Sequence, residues 1–247
     1  MLKLTTAHCS HAGARSSNQD ALGMRIRSND ACFVLSDGVG GETGGGHAAR
    51  LAIYSALQQF EARQNAGLEA TVRSCISAAQ SAILADQQRH PDRARMAATL
   101  IALFIDGHQA QWAHAGDSRL YHFRRGVLLQ RTQDHSLVAQ LEAAGLPHQH
   151  INPNLLSHAL GRTDSPLAAP AQTQTLEDGD CFLLCTDGFW HGLKDRELER
   201  QLQLAANVQD WLDQLAWQVQ LRGEQDNYSA IAVWVGEPEA VTVARVV

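Results

Sequence analysis

The stretch Cys32-Phe-Val-Leu-Ser-Asp37-Gly-Val-Gly-Gly41 is an apolar run that stops on a carboxylate and passes directly into glycine. Cys181-Phe-Leu-Leu-Cys-Thr-Asp187-Gly188 ends on Asp in the same way, and Asp226-Asn227 immediately precedes Tyr228-Ser-Ala-Ile-Ala-Val-Trp-Val235. Short apolar runs with β-branched and aromatic residues, bounded by turn residues, read as buried strands. Strands that begin or stop on Asp place carboxylates at one sheet edge. If the fold brings those edges together it gathers hard oxygen ligands with no local charge to balance them, a set that suits Mg²⁺ or Mn²⁺. The pattern points to metal-assisted hydrolysis.

Working outward, strand-like segments fall near residues 2–8, 22–27, 31–36, 97–105, 109–115, 119–123, 127–131, 171–176, 181–186 and 228–235. Helical periodicity is clearest at 47–62, 68–90, 136–145, 195–205 and 208–222. The long helices come in pairs between groups of strands rather than one after each strand, which favours antiparallel sheets with helices on their outer faces. Of four Asp-Gly pairs, Asp106-Gly107 separates two strand-like runs and reads as a primed hairpin turn. Asp178-Gly179 also reads as a turn, leaving Asp37-Gly38 and Asp187-Gly188 as site candidates.

The bulk properties narrow the function. The chain has 247 residues, 45% of them hydrophobic, with no repeat or linker-like tract, so one domain over residues 1–247 is expected. A formal charge of −6 argues against a nucleic-acid partner, which calls for a basic face. Arg124-Arg125 reads as a turn. No apolar run approaches a membrane span or a signal peptide. Five cysteines, two of them inside one strand, read as buried thiols in a reducing cytoplasm. His8, His11, His135, His148 and His150 lack partners at zinc-site spacing. The glycines of 38–46 lack the Lys-Ser/Thr ending of a nucleotide loop, and their use is close backbone approach to a metal.

Taken singly, Asp20, Asp117 and Asp226 read as turn or cap residues. Taken in order, Arg15-x-x-Asn-Gln-Asp20, Asp37-Gly-Val-Gly-Gly41, Gly116-Asp-Ser-Arg119, Asp134-His-Ser136, Leu156-Ser-His-Ala-Leu-Gly161, Thr186-Asp-Gly188 and Asp226-Asn227 resemble the metal-dependent protein phosphatases, the type 2C serine/threonine family. The resemblance runs from about Ala12 to Val235. It implies an α+β fold, a four-layer αββα sandwich of two antiparallel sheets flanked by pairs of helices. It further implies two Mn²⁺ or Mg²⁺ ions, with Asp37 bridging them, the Gly38 carbonyl on one, and Asp187 and Asp226 on the other. A weaker third ion would lie between Asp117 and Asp187.

Asp20 and Asn227 would orient the metal site from outside the ligand shell, and Arg15 would clamp the substrate phosphate through its paired donors. His135 would have a structural hydrogen-bonding role. A metal-bridging water would attack phosphoserine or phosphothreonine directly. Residues 145–170 resemble the family's flap, where substrate preference is expected. The implied partners are a phosphoprotein substrate and an opposing bacterial serine/threonine kinase, with the phosphatase itself a monomer.

Two residues depart from the pattern: Val39 stands where many relatives carry a proton-donating His, and Gln19 where animal relatives often carry Glu. The alternative is a catalytically idle binding or regulatory member of the same fold. Retention of Asp37, Asp187 and Asp226 argues against it. A two-metal hydrolase of nucleotides or nucleic acid would call for a basic groove or an aromatic cluster, and neither is evident.

Overall fold

A computed structural model describes residues 3–39, 44–63, 66–152, 154–163 and 169–236. Ten strands form two five-stranded antiparallel sheets. The first has the order β1 (Leu4–His11), β10 (Tyr228–Val235), β9 (Asp180–Cys185), β6 (Arg119–Arg124), β7 (Val127–Arg131). The second has the order β2 (Ala21–Ile26), β3 (Asp30–Ser36), β4 (Leu100–Asp106), β5 (Gln109–Ala115), β8 (Gln174–Thr175). Side-chain alternation along β3 shows why the sheets pack as they do. Ala31, Phe33 and Leu35 enter the core between the sheets with Ile101, Leu103, Phe182, Leu184, Ile231 and Val233. Cys32 and Val34 point the other way, into a core made with helices α1 (Gly45–Ala62) and α2 (Leu68–Arg89). A third core joins Cys181, Leu183 and Cys185 to α5 (Asp195–Leu204) and α6 (Val208–Leu221) through Leu198, Trp211 and Leu215. The result is the expected four-layer sandwich, with helix pairs outside and period-two strands inside.

Two smaller helices, α3 (Leu137–Ala143) and α4 (Asp187–Trp190), lie near the ends of strands, and a 3₁₀ turn follows α2 at Pro91–Arg93. Gly107, at φ 57°, turns β4 into β5, as the Asp106-Gly107 reading expects. β10 runs between β1 and β9, in register Leu4↔Val235 to His11↔Tyr228 on one side and Ala230↔Cys185 to Trp234↔Cys181 on the other. All five cysteines are free thiols. Among the described residues no helix is long and apolar enough to cross a membrane.

The Arg124-Arg125 reading needs a correction. Arg125 and Gly126, both at positive φ, do make a turn, but Arg124 bonds Asp180 through two nitrogens at 2.7 and 3.0 Å and Glu177 at 2.6 Å. His122 Nε2 lies 3.2 Å from the same, fully buried, Asp180. Burial pushes the Asp180 carboxyl up, but His122, Arg124 and the Glu177 amide outweigh it and hold its pKa below the ordinary value. A depressed carboxylate stabilises the fold at pH above its unfolded value, about 3.9, and that stabilisation is lost as pH falls through the folded value. Asp180→Ala is therefore expected to cost about 3 kcal/mol at neutral pH by removing the buried acceptor shared by Arg124 and the Glu177 amide. Denaturant unfolding checks this, and the deficit should shrink in acid.

Candidate active site

The carboxylates singled out in the sequence meet at one end of the sandwich. Asp37 follows β3, Asp117 lies in the β5–β6 turn, Asp187 opens α4 after β9, and Asp226 precedes β10. With Arg15, Gly38 and Asn227 they line a cavity of about 400 Å³. Asp20 sits behind it, 8% exposed, with Oδ2 accepting from Thr186 Oγ1 at 3.0 Å and Oδ1 buried without a partner.

The charge is poorly compensated. Burial, then Asp187, Asp20 and Asp117, push the Asp37 carboxyl well above its ordinary value. Burial and the neighbouring Asp187 raise Asp117 to about 7, and burial raises Asp20 to about 6. Burial and Asp226 raise Asp187. Arg15 Nη2 reaches Asp226 Oδ2 at 2.9 Å, whereas Arg119 is engaged elsewhere, bonding Asp134 at 2.7 and 2.8 Å and stacking 3.2 Å above Trp190. Among the described residues no three His, Cys, Asp or Glu side chains already converge as a ligand set. Asp226 gives one oxygen to Arg15, and Asp187 gives Oδ1 to the Gly188 amide at 2.7 Å. The donors are nonetheless all hard oxygens, and the orphaned Asp20 oxygen and raised carboxyls mark a site that gains by accepting divalent cations.

The surrounding structure sets this geometry. The Asn227 amide bonds Gln19 N at 2.8 Å and the carbonyls of Ala12 and Ser17, each at 2.9 Å, so it shapes the loop that presents Arg15. A Cβ at Gly38 would fall 2.3 Å from the Gly45 carbonyl carbon. Glycine there is needed for close approach to the start of α1, a different reason from cation access. Residues 40–43 of the glycine stretch lie outside the described residues.

His135 bonds through its backbone, donating to Gly116 O at 2.9 Å. Its ring instead stacks on His114 at 4.2 Å between centroids and lies tilted against His158 at 4.4 Å, with Nδ1 buried and unpartnered. The side-chain hydrogen bonds of that motif come from Asp134, which holds Arg119, and from Ser136, whose Oγ accepts the Ala139 amide at 3.1 Å. Several lining residues were not singled out from sequence. Thr99 Oγ1 accepts the Asp37 amide at 2.9 Å and pairs with Ser118 Oγ at 2.7 Å. Ser16, Ser17 and Asn154 also line the cavity, together with Leu156 of the Leu156–Gly161 motif. The polar break that Thr99 makes in an alanine-rich run was the one available signal. Of the flap reading, residues 153 and 164–168 lie outside the described residues.

The sequence profile of the family described as protein phosphatase 2C matches residues 9–225. The chain belongs to the protein phosphatase 2C family. Its relatives include the serine/threonine protein phosphatase PstP of Mycobacterium tuberculosis, 30% identical over 198 residues. That match takes in 77% of this chain but only 37% of the mycobacterial protein's length. The serine/threonine phosphatase stp of Listeria monocytogenes is 27% identical over 89% of this chain and 90% of its own. Among solved structures, the catalytic domain of PstP in complex with two manganese ions superposes with a TM-score of 0.81 at 29% identity, covering 96% of this chain and all of that one.

Proposed function

We propose that this protein is a metal-dependent serine/threonine phosphatase acting on phosphoproteins. The supporting observation is the convergence of Asp37, Asp117, Asp187 and Asp226 from four separate segments beside Arg15, with the carboxyls of Asp37, Asp117 and Asp187 raised by burial and by neighbouring carboxylates. Asp37, the Gly38 carbonyl, Asp187 and Asp226 would hold two Mn²⁺ or Mg²⁺ ions, as the manganese-bearing relative suggests. Asp117 with Asp187 would hold a weaker third. Bound there, divalent cations neutralise phosphoryl charge and lower the pKa of water. Asp20 and Asn227 orient the site from outside the ligand set. No side-chain acid occupies position 39, so the protein's part is to orient and exclude, while the leaving oxygen takes its proton from water. Residues 1–247 would act as one monomeric catalytic domain in the cytoplasm, opposing a serine/threonine kinase. Purified protein supplied with Mn²⁺ should release inorganic phosphate from phosphoserine and phosphothreonine peptides. Failure to release it from a broad peptide panel would overturn the reading.

Arg15, 60% exposed at its side chain, is the cation among the described residues that line the cavity. In this structure it neutralises Asp226; with substrate bound it would turn to the phosphate, where its paired donors match the oxygens. Such a clamp acts in ground and transition states alike, so Arg15→Ala should raise KM about tenfold or more with a smaller fall in kcat. Mn²⁺ affinity should not weaken, because a competitor for Asp226 is gone. An unchanged KM with collapsed kcat would move Arg15 into the chemical step.

A further inference from the structure

The strap between the 3₁₀ turn and β4, residues 96–99, is paired on both sides. Val39 N donates to Ala97 O at 3.0 Å and Thr99 N to Asp37 O at 2.8 Å, which fixes the Asp37–Gly38 loop to the strap. On the opposite side Ala98 and Leu160 exchange both backbone hydrogen bonds, at 3.2 and 2.9 Å. Gly38, Ala98 and Leu160 are thus joined by two antiparallel bridges, with Ala98 in the middle. Gln87 of α2 closes this pairing, its single Nε2 donating to Met96 O at 2.7 Å and to Gly161 O at 2.8 Å. Gln80, seven residues earlier and therefore on the same helix face, holds the flap root alone. It accepts from Gly161 N at 2.7 Å and donates to Arg162 O at 2.9 Å. A Cβ at Gly161 would meet Met96 O at 2.6 Å, so the flap root lies directly on the strap. Five residues back along that segment, Leu156 lines the catalytic cavity and is bridged to Ser136.

We propose that Gln87 is a positioning residue that joins the Asp37–Gly38 loop to the root of the substrate flap, so that cation binding and substrate binding share one mechanical joint. The inference rests on reading Asp37–Gly38 as the cation loop and residues 145–170 as the flap. Losing the amide leaves two carbonyls without their donor and frees the strap and flap root to shift independently. Gln80 touches only the flap side, which makes it the matched control.

The test uses Gln87→Met and Gln80→Met, which keep length and bulk but remove the amide. Mn²⁺ alone is titrated into metal-free full-length protein by calorimetry, and KM is measured on a phosphopeptide. Gln87→Met should weaken Mn²⁺ binding about fivefold and raise KM about fivefold, the scale of one net hydrogen bond. Gln80→Met should raise KM while Mn²⁺ affinity stays within about twofold. Wild-type Mn²⁺ affinity and KM in Gln87→Met would overturn the proposal even if its Tm falls, and so would equal weakening of Mn²⁺ binding in both variants. Hydrogen exchange on the unaltered protein covers the case in which a variant does not fold. Mn²⁺ should slow exchange at the Leu160 and Gly161 amides, and protection confined to the Asp37 loop would overturn the coupling. Wild-type protein that binds Mn²⁺ but hydrolyses no phosphopeptide would refute the phosphatase reading, while the titration and exchange results would still decide the joint.

Discussion

Asp37→Ala is expected to lower turnover by at least about 10³-fold while leaving the metal-free fold as stable as before or more so. Cation catalysis of phosphoryl chemistry is worth several kcal/mol, and each 1.36 kcal/mol is tenfold in rate. Asp37 is the carboxylate on which the proposed ligand set depends, since its own backbone is fixed to Thr99 by the Asp37 amide and carbonyl. Its carboxyl is also the group most opposed by its surroundings, buried and facing Asp187, Asp20 and Asp117. Removing it relieves that opposition. Turnover should therefore collapse without loss of Tm, and calorimetry with Mn²⁺ should show the missing site directly. Near-normal turnover in this variant would show that Asp37 does not have the role proposed for it.

Chelation should be equally severe. EDTA is expected to abolish phosphate release, with recovery on adding Mn²⁺ or Mg²⁺, because carboxylate sites that retain waters hold these ions only moderately. The chelated protein should also respond to pH in a particular direction. A carboxyl whose folded pKa is raised contributes stability that is complete below its unfolded value and is lost as pH rises through the folded one. With Asp20 at about 6 and Asp117 at about 7, the metal-free Tm should decline between about pH 4 and pH 7. Saturating Mn²⁺ should oppose that decline, since it binds the deprotonated carboxylates. Full activity after exhaustive chelation would sink the metal-dependent reading, and a flat Tm would mean the carboxylates do not oppose one another as the structure has them.

Much of this was legible in the chain because β3, β9 and β10 have strong apolar signals beside their acids. The unbroken apolar run Ala31–Leu35 reads as a strand buried on both faces, and the structure sorts its residues between the core between the sheets and the core under the helices. The helix pairs were legible from periodicity extending over several turns. The single turn of α4 was not, since four residues carry no period. Thr99 and Ser118 were passed over for a related reason: a hydroxyl's value depends on the amide or hydroxyl it meets across the fold. Asp134 was quoted only as part of a motif, yet its bidentate bond to Arg119 holds that arginine out of the cavity. Residues 145–170 read as a polar connection, but the backbone bridges at Leu156 and Leu160 are invisible to composition.

The placement of β10 has a consequence for synthesis. The last strand described is the interior neighbour of the first, so until residue 235 is available β1 and β9 have no common partner. Contacts spanning almost the whole chain form late, because the loop they close is long. Asp226 and the Asn227 amide that shapes the Arg15 loop arrive with that strand. A ribosome-bound chain can thus pair β2 to β5 before β10 has emerged, while the proposed site still lacks Asp226 and Asn227.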